Sequence, residues 1–317
     1  MKDTPALHPS ASVGEALREV ARDMLVEART AIEAAAKSDA ERVHDFRRAM
    51  KRWRALLRLL QPFVGQEARR LRDEARDLAR ALSGARDAQS ALDALADLEK
   101  HGLALSARSI AGLRQRIEAI RKTAETTLDA DMRLRLGSAL DQAAAMVERW
   151  PLSALTFDDV ADQLTRFYRS ARRHLPADWS TADAEELHEL RKRVVIHRYQ
   201  IDIIEPLWPR FIKMWSGEAQ RLRDRLGKHQ DALMLASLTE PRQPLARWRS
   251  RLCACDRRTP RRACGGCRPH RHAHVGRKAN RAAPAARRHV GGASLKFEPS
   301  MSRLAQDGVT RWHRAIG

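Results

Sequence analysis

Two histidines stand at the heads of basic stretches: His44 in "VHDFRRAMKRWRALLRLL" (residues 43–60) and His188 in "LHELRKRVVIHRYQ" (residues 187–200). Each is followed three residues on by an arginine, Arg47 and Arg191. Three chemistries are open to an imidazole in this setting. It can contact a phosphate oxygen and become cationic as the anion raises its pKa. It can ligate a metal, or it can serve as an acid/base group or phosphoryl acceptor. Metal binding lacks helpers, because no H-x-x-x-H spacing or carboxylate pattern accompanies His44. Nothing specific supports phosphotransfer. Contact with an anionic ligand is therefore the favoured reading, and inward packing is the plainer alternative. His197, opposite Trp53 when the two stretches are aligned, has the look of an inward, structural position; His101 and His174 have no supporting pattern.

The element that must position His44 is a helix. At about 100° per residue, Phe46, Met50, Trp53, Leu57 and Leu60 share one face, and His44, Arg47, Arg48, Lys51, Arg52 and Arg58 lie on the other, with Arg54 at the border. Asp45 is the one acid in the stretch, near the N-terminus where the helix dipole favours it. A polar face of one sign repels itself unless an anion joins it. A third stripe, Arg69, Arg72, Arg76 and Arg80, follows in front of Leu71, Ala75, Leu78 and Leu82. Here Asp73, Glu74 and Asp77 can pair with the arginines, so a salt-bridged face competes equally with a ligand-binding one. Arg166, Arg169 and Arg173 add a further basic edge.

The two histidine stretches align without a gap at an offset of 144, which pairs His188 with His44, Arg191 with Arg47, Lys192 with Arg48, Arg198 with Arg54 and Pro206 with Pro62. The same offset pairs Leu226 with Leu82 and Asp231 with Asp87, and sets Thr156 and Asp159 against the capping pattern of Ser12 and Glu15. The reading is an all-α chain of two helical bundles, each of about four or more helices, made by internal duplication. Residues 11–150 form the first bundle, residues 151–252 an incomplete second one, and residues 253–317 an irregular tail. Helices are expected at about 12–37, 39–60, 66–83, 86–100, two within 105–148, then 156–174, 181–205, 210–228 and another from about 230. Pro62 and Gly65 are expected to end the second helix.

Composition agrees with helices: the chain is rich in Ala, Leu and Arg and poor in aromatics. The formal charge of +20 is unevenly placed. Residues 241–317 carry 19 basic against 3 acidic side chains, a surplus of 16, leaving a surplus of only 4 for the first 240. Faces, not bulk charge, therefore carry the binding information. With no signal pattern and no window of about 18 apolar residues, a cytoplasmic protein without a membrane partner is expected.

A row of guanidinium groups over several helical turns suits a linear polyanion, since arginine grips phosphate oxygens through paired hydrogen bonds. Nucleic acid is the lesser possibility: base readout needs groove-entering or stacking side chains, and the body has few aromatics.

These residues resemble the CHAD family, named for a conserved histidine α-helical domain. The resemblance covers about residues 11–250 and rests on the two His-x-x-Arg stretches, each followed at a fixed distance by "LSGARDA" and "LGKHQDA". It implies two bundles related by an approximate two-fold axis, with a basic groove that binds inorganic polyphosphate without catalysis or cofactor. By motif, His44, Arg47, Arg48, Lys51, Arg52, Arg54 and Arg58 would line one half, with Arg69, Arg72 and Arg76 alongside. His188, Arg191, Lys192, Arg198 and Tyr199 would line the other. Val195 and Ile196 replace Lys51 and Arg52 in the second stretch, making that half less basic. The family is often joined to, or encoded near, a CYTH-type triphosphatase. This chain lacks an E-x-E-x-K signature, so such an enzyme would be a separate partner. Association with polyphosphate granules follows as an expectation. The alternatives are tail-driven nucleic-acid binding and an enzyme acting on phosphate chains through the paired histidines.

The tail changes character abruptly. Residues 253–292 contain no Leu, Ile, Met, Phe or Trp, so this stretch cannot offset the entropy of ordering. It holds all four cysteines, Cys253, Cys255, Cys264 and Cys267, beside His270, His272 and His274. They make zinc binding the weaker reading; a shift of reading frame in a GC-rich gene is the stronger.

Overall fold

The computed structural model describes residues 5–7, 11–82, 84, 86–103, 105–124, 128–179, 181–250 and 252. The four tail cysteines and their neighbouring histidines lie outside the described residues. The described chain is all-α: α1 (Val13–Glu33), α2 (Asp39–Val64), α3 (Gln66–Ala81), α4 (Arg86–Lys100), α5 (Ala107–Thr123), α6 (Ala130–Val147), α7 (Phe157–Arg173), α8 (Ala184–Ile203) and α9 (Pro209–Ser237), with short 3-10 turns at Glu205–Leu207 and Ala246–Trp248.

Local chemistry starts these helices where the sequence suggests. Ser12 accepts from the Glu15 backbone N–H at the head of α1. Reciprocal capping boxes open α2 (Ser38 with Glu41) and α7 (Thr156 with Asp159). Arg42 reaches back from α2, its Nε donating to the Ala34 carbonyl at 2.9 Å, and so satisfies the end of α1. The apolar face expected for α2, Phe46, Met50, Trp53, Leu57 and Leu60, is buried.

Two parses need correction. Pro62 does not end α2, which continues to Val64. In the last turn its missing N–H forfeits only one bond, and Phe63 and Val64 gain core contact in return. Gly65 makes the turn with φ at +74° and donates to the Gln61 carbonyl at 2.9 Å, a backbone state that favours glycine. The break expected near residue 229 is also absent, because α9 is one helix of 29 residues. A lone glycine, Gly227, costs about 1 kcal/mol within a helix, and α9 offsets that by packing into two separate apolar clusters. Helix starts nonetheless follow the offset of 144 to within one residue: Val13, Asp39 and Gln66 are followed by Phe157, Ala184 and Pro209.

The larger cluster joins α1, α2, α3, α6, α7, α8 and the first half of α9, through Ile212, Trp215, Ala219, Leu222 and Leu226. The smaller joins α4, α5, Leu235 near the end of α9, and Trp248. Burying each large side chain contributes roughly 1.5–3 kcal/mol. Trp53 stacks on Trp150 with ring centres 5.9 Å apart, and the Trp150 indole donates to Glu67 at 3.1 Å. Close approach is set by Gly14, where a Cβ would lie 2.0 Å from the Leu152 carbonyl oxygen. The Gln200 amide donates to the Ala55 carbonyl at 3.1 Å inside the α2–α8 contact. Since α9 spans both clusters and packs on α4 and α8, a hollow remains where α2, α4, α8 and α9 converge.

Among the described residues no helix is long and apolar enough to cross a membrane.

Candidate functional site

That hollow is a cavity of about 810 Å³. From α2 it receives His44, Arg47, Arg48 and Lys51; from α4, Arg86; from α8, His188, Arg191 and Tyr199; and from α9, Arg223. Helical periodicity puts His44, Arg47 and Lys51 on one line, because residues three and seven apart overlay. Packing of α2 against α8 then sets Arg191 across from them.

Lys51 is the focus. It has no hydrogen bond or ion pair among the described residues, and it is solvent-exposed within the cavity. Enclosure by protein, then the charges of Arg86, Arg47, Arg191 and Arg223, push its pKa down to about 8. Burial, then Arg223 and Arg86, lowers Arg191 as well, and its Nε is buried without a partner. Gly227 of α9 lies beside that guanidinium: a Cβ there would sit in ordinary contact, 3.6 Å from Arg191 Nη2. Arg47 has a second duty, since its Nη1 donates to the carbonyls of Ala79 (2.8 Å) and Leu82 (3.0 Å) and so holds the end of α3.

His44 is exposed at the cavity. The His188 Nδ1 donates to Gln230 Oε1 at 3.1 Å. Acids line the cavity too: Glu41 and Asp45 on α2, Asp87 and Asp93 on α4, and Asp231 on α9. Burial raises the pKa of Asp231, against a hydrogen bond from Ser90 and the charge of Arg191 that lower it. No group of three or more His, Cys, Asp or Glu side chains suited to a metal ion occurs among the described residues.

The family model described as CHAD domain matches residues 15–240. The chain belongs to the CHAD domain family. A crystal structure of the CHAD domain from the plant Ricinus communis shares its fold, with a TM-score of 0.59 at 21% identity over 81% of this chain and 91% of that one. None of the curated proteins compared matches the chain.

The basic line of this CHAD domain does not stop at Lys51. Arg54 and Arg58 continue it along α2, so that His44 to Arg58 spans about 21 Å at 1.5 Å per residue. Arg58 is pushed down to about 10 by burial, then by Arg54, Arg72 and Arg193. Arg54 is lowered by burial, then by Arg76, Arg72 and Arg80, and its Nε is buried without a partner. Two cationic clusters therefore sit along one helix.

Other residues expected at the site lie elsewhere or are engaged. Arg52 turns to α1, where its Nη1 donates to both oxygens of Glu27 at 2.7 and 2.6 Å. Arg76 pairs with Asp73 and Asp77 at 3.1 and 3.0 Å, so the salt-bridged reading of that stripe applies to it. Arg72 donates to the Gln61 side chain. Arg69 is exposed and outside the cavity. Lys192 pairs with Glu189 at 2.6 Å. Arg198 lies over the Tyr199 ring at 5.3 Å and 3.8 Å from Asp202. Arg48 leans on Asp45 at 3.3 Å.

Sequence reasoning missed Arg86 and Arg223. Their counterparts at the 144 offset are Gln230 and Ala79, so the repeat gave them no signal. Only the α4–α9 packing brings them to Lys51. His197 is buried, as its position suggested, against Tyr168 and Trp215 with ring centres 5.7 and 5.2 Å away.

Proposed function

We propose that this CHAD domain binds inorganic polyphosphate along the His44–Arg58 line and does not turn it over. The observation that carries the reading is Lys51, a lysine without an ion pair, set among four arginines from four helices and open to solvent. A site where basic side chains outnumber acidic ones is complemented by a multivalent anion. The line's length favours a chain with many charges over a single phosphate, and binding would release counterions in proportion to the contacts made. Any hydrolysis of the bound chain would then fall to another polypeptide, such as a separately encoded CYTH-type triphosphatase.

The test is competition at several salt concentrations. Labelled long-chain polyphosphate bound to the full chain is challenged with duplex DNA, single-stranded RNA and inorganic triphosphate, and phosphate release is followed in parallel. Arg86→Ala and Arg191→Ala are the informative variants, because Arg47→Ala would also free the end of α3. Resistance to all three competitors, weakened binding in both variants and no phosphate release are expected. Equal displacement by nucleic acid with no effect of either arginine would overturn the reading. Sustained phosphate release lost in His44→Ala would show turnover instead.

A further inference from the structure

We propose that Lys51 is a covalent modification site for acyl phosphates, whose phosphoryl group the surrounding arginines hold while the lysine amine takes the acyl group. The inference shares with the proposed function only the premise that this cavity attracts phosphate. Its effect would be to regulate that site, by removing the central positive charge.

Three observations combine here. Lys51, like Lys100 and Lys122, has no carboxylate to hold it as an ammonium ion among the described residues, whereas Lys37, Lys192, Lys213 and Lys228 each pair with an acid. Arg47, Arg86, Arg191 and Arg223 converge on it from α2, α4, α8 and α9. Arg86 and Arg191 have no ion pair among the described residues, and Arg223 pairs at 2.9 Å only with its exposed neighbour Asp224. The cavity is large enough for a small acyl phosphate and opens to solvent. The other ionisable groups facing this space are His44, His188, Tyr199, Lys37, Arg48, Arg121 and the carboxylates of Glu41, Asp45, Asp87, Asp93 and Asp231.

The step balances within those groups. The lone pair of neutral Lys51 Nζ attacks the acyl carbon, and the carbonyl oxygen takes up negative charge. As the tetrahedral adduct collapses, the carbon–oxygen bond to phosphate breaks and phosphate leaves with that electron pair, held by the arginines. The amine proton passes to water. The products are an uncharged amide at Lys51 and inorganic phosphate, with no oxidant or reductant required. The lowered pKa helps, since near pH 8 about half of Lys51 is neutral against under about 1% for an ordinary lysine. The incoming anion partly restores the charge, so the expected advantage is about ten-fold, well short of the full ratio.

The experiment uses the full chain and acetyl phosphate at pH 8, with acetylation mapped by peptide mass spectrometry over time. Lys51 should be acetylated about ten-fold faster than Lys213, an exposed lysine on α9. Inorganic triphosphate should slow Lys51 and spare Lys213. Arg86→Ala and Arg191→Ala should slow Lys51 several-fold, and should matter far less with N-acetoxysuccinimide, which carries no phosphate. Equal rates at Lys51 and Lys213, or rates at Lys51 indifferent to both arginines and to triphosphate, overturn the inference. Lys51→Arg separates the two ideas, because it keeps the charge and removes the nucleophile. Polyphosphate bound normally by a chain whose Lys51 is unreactive would sink the modification site alone. Selective acetylation unaffected by long-chain polyphosphate would sink the polyphosphate reading alone.

Discussion

Replacing His197 with leucine should make this protein more resistant to acid, and the size of the effect follows from where the ring sits. His197 is 1% exposed, both ring nitrogens lack hydrogen-bond partners, and burial pushes its pKa down to about 3 from an ordinary 6.5. The folded state therefore refuses a proton that the unfolded chain accepts. Above about pH 6.5 neither state is protonated and the ring carries no pH-dependent cost. As pH falls below that value the unfolded state gains the proton first, so stability is lost progressively until about pH 3. At about 1.4 kcal/mol per pH unit, roughly 2 kcal/mol is lost by pH 5 and about 4 kcal/mol by pH 3. Leucine has a similar volume, removes two unsatisfied nitrogens, each costing about 1–3 kcal/mol, and forfeits ring contacts with Tyr168 and Trp215 of about 0.5–1.5 kcal/mol each. Urea unfolding of both proteins at pH 7.5, 6 and 5 isolates the ring, since every other titrating group is common to the two. The variant should lose about 2 kcal/mol less than the parent between pH 7.5 and 5. Parallel pH profiles would refute the burial and desolvation on which this rests.

Other outcomes follow from the same geometry. Gly14→Ala places a methyl group against the Leu152 carbonyl and should cost about 2–4 kcal/mol, in the range for overpacked cores, seen as a lower melting temperature. Arg86→Ala and Arg191→Ala should each reduce the slope of log affinity for polyphosphate against log salt by somewhat under about 1, with the circular dichroism spectrum unchanged, whereas Arg69→Ala should leave the slope as it was. Polyphosphate binding should take up protons at pH 8.5, because an anion favours the charged form of Lys51 and raises a pKa that starts at about 8. The uptake should approach about 0.7 proton per chain at pH 8.5 and be lost in Lys51→Met; calorimetry in buffers of different ionisation enthalpy measures it.

Most of the helical framework was legible in the sequence because helix formation is local. Capping residues and 3.6-residue periodicity act within a turn or two, so Ser38, Thr156 and the apolar face of α2 announced themselves. The line His44, Arg47, Lys51, Arg54, Arg58 was equally readable, since one helix alone sets its alignment. What the sequence withheld were consequences of packing between distant elements. Arg52 and Arg47 look alike on a helical wheel, yet Glu27 of α1 neutralises one and α4 surrounds the other with charge. Arg223 had no pattern to mark it, and Arg86, though inside the "LSGARDA" stretch, has no basic counterpart at the 144 offset. The continuous α9 was hidden because Gly227 signals a break locally, while burial in two clusters outweighs that signal. Periodicity thus determined which residues could share a face, and only tertiary contact decided which charges would be left without partners, because pairing depends on distances across the fold and not along the chain.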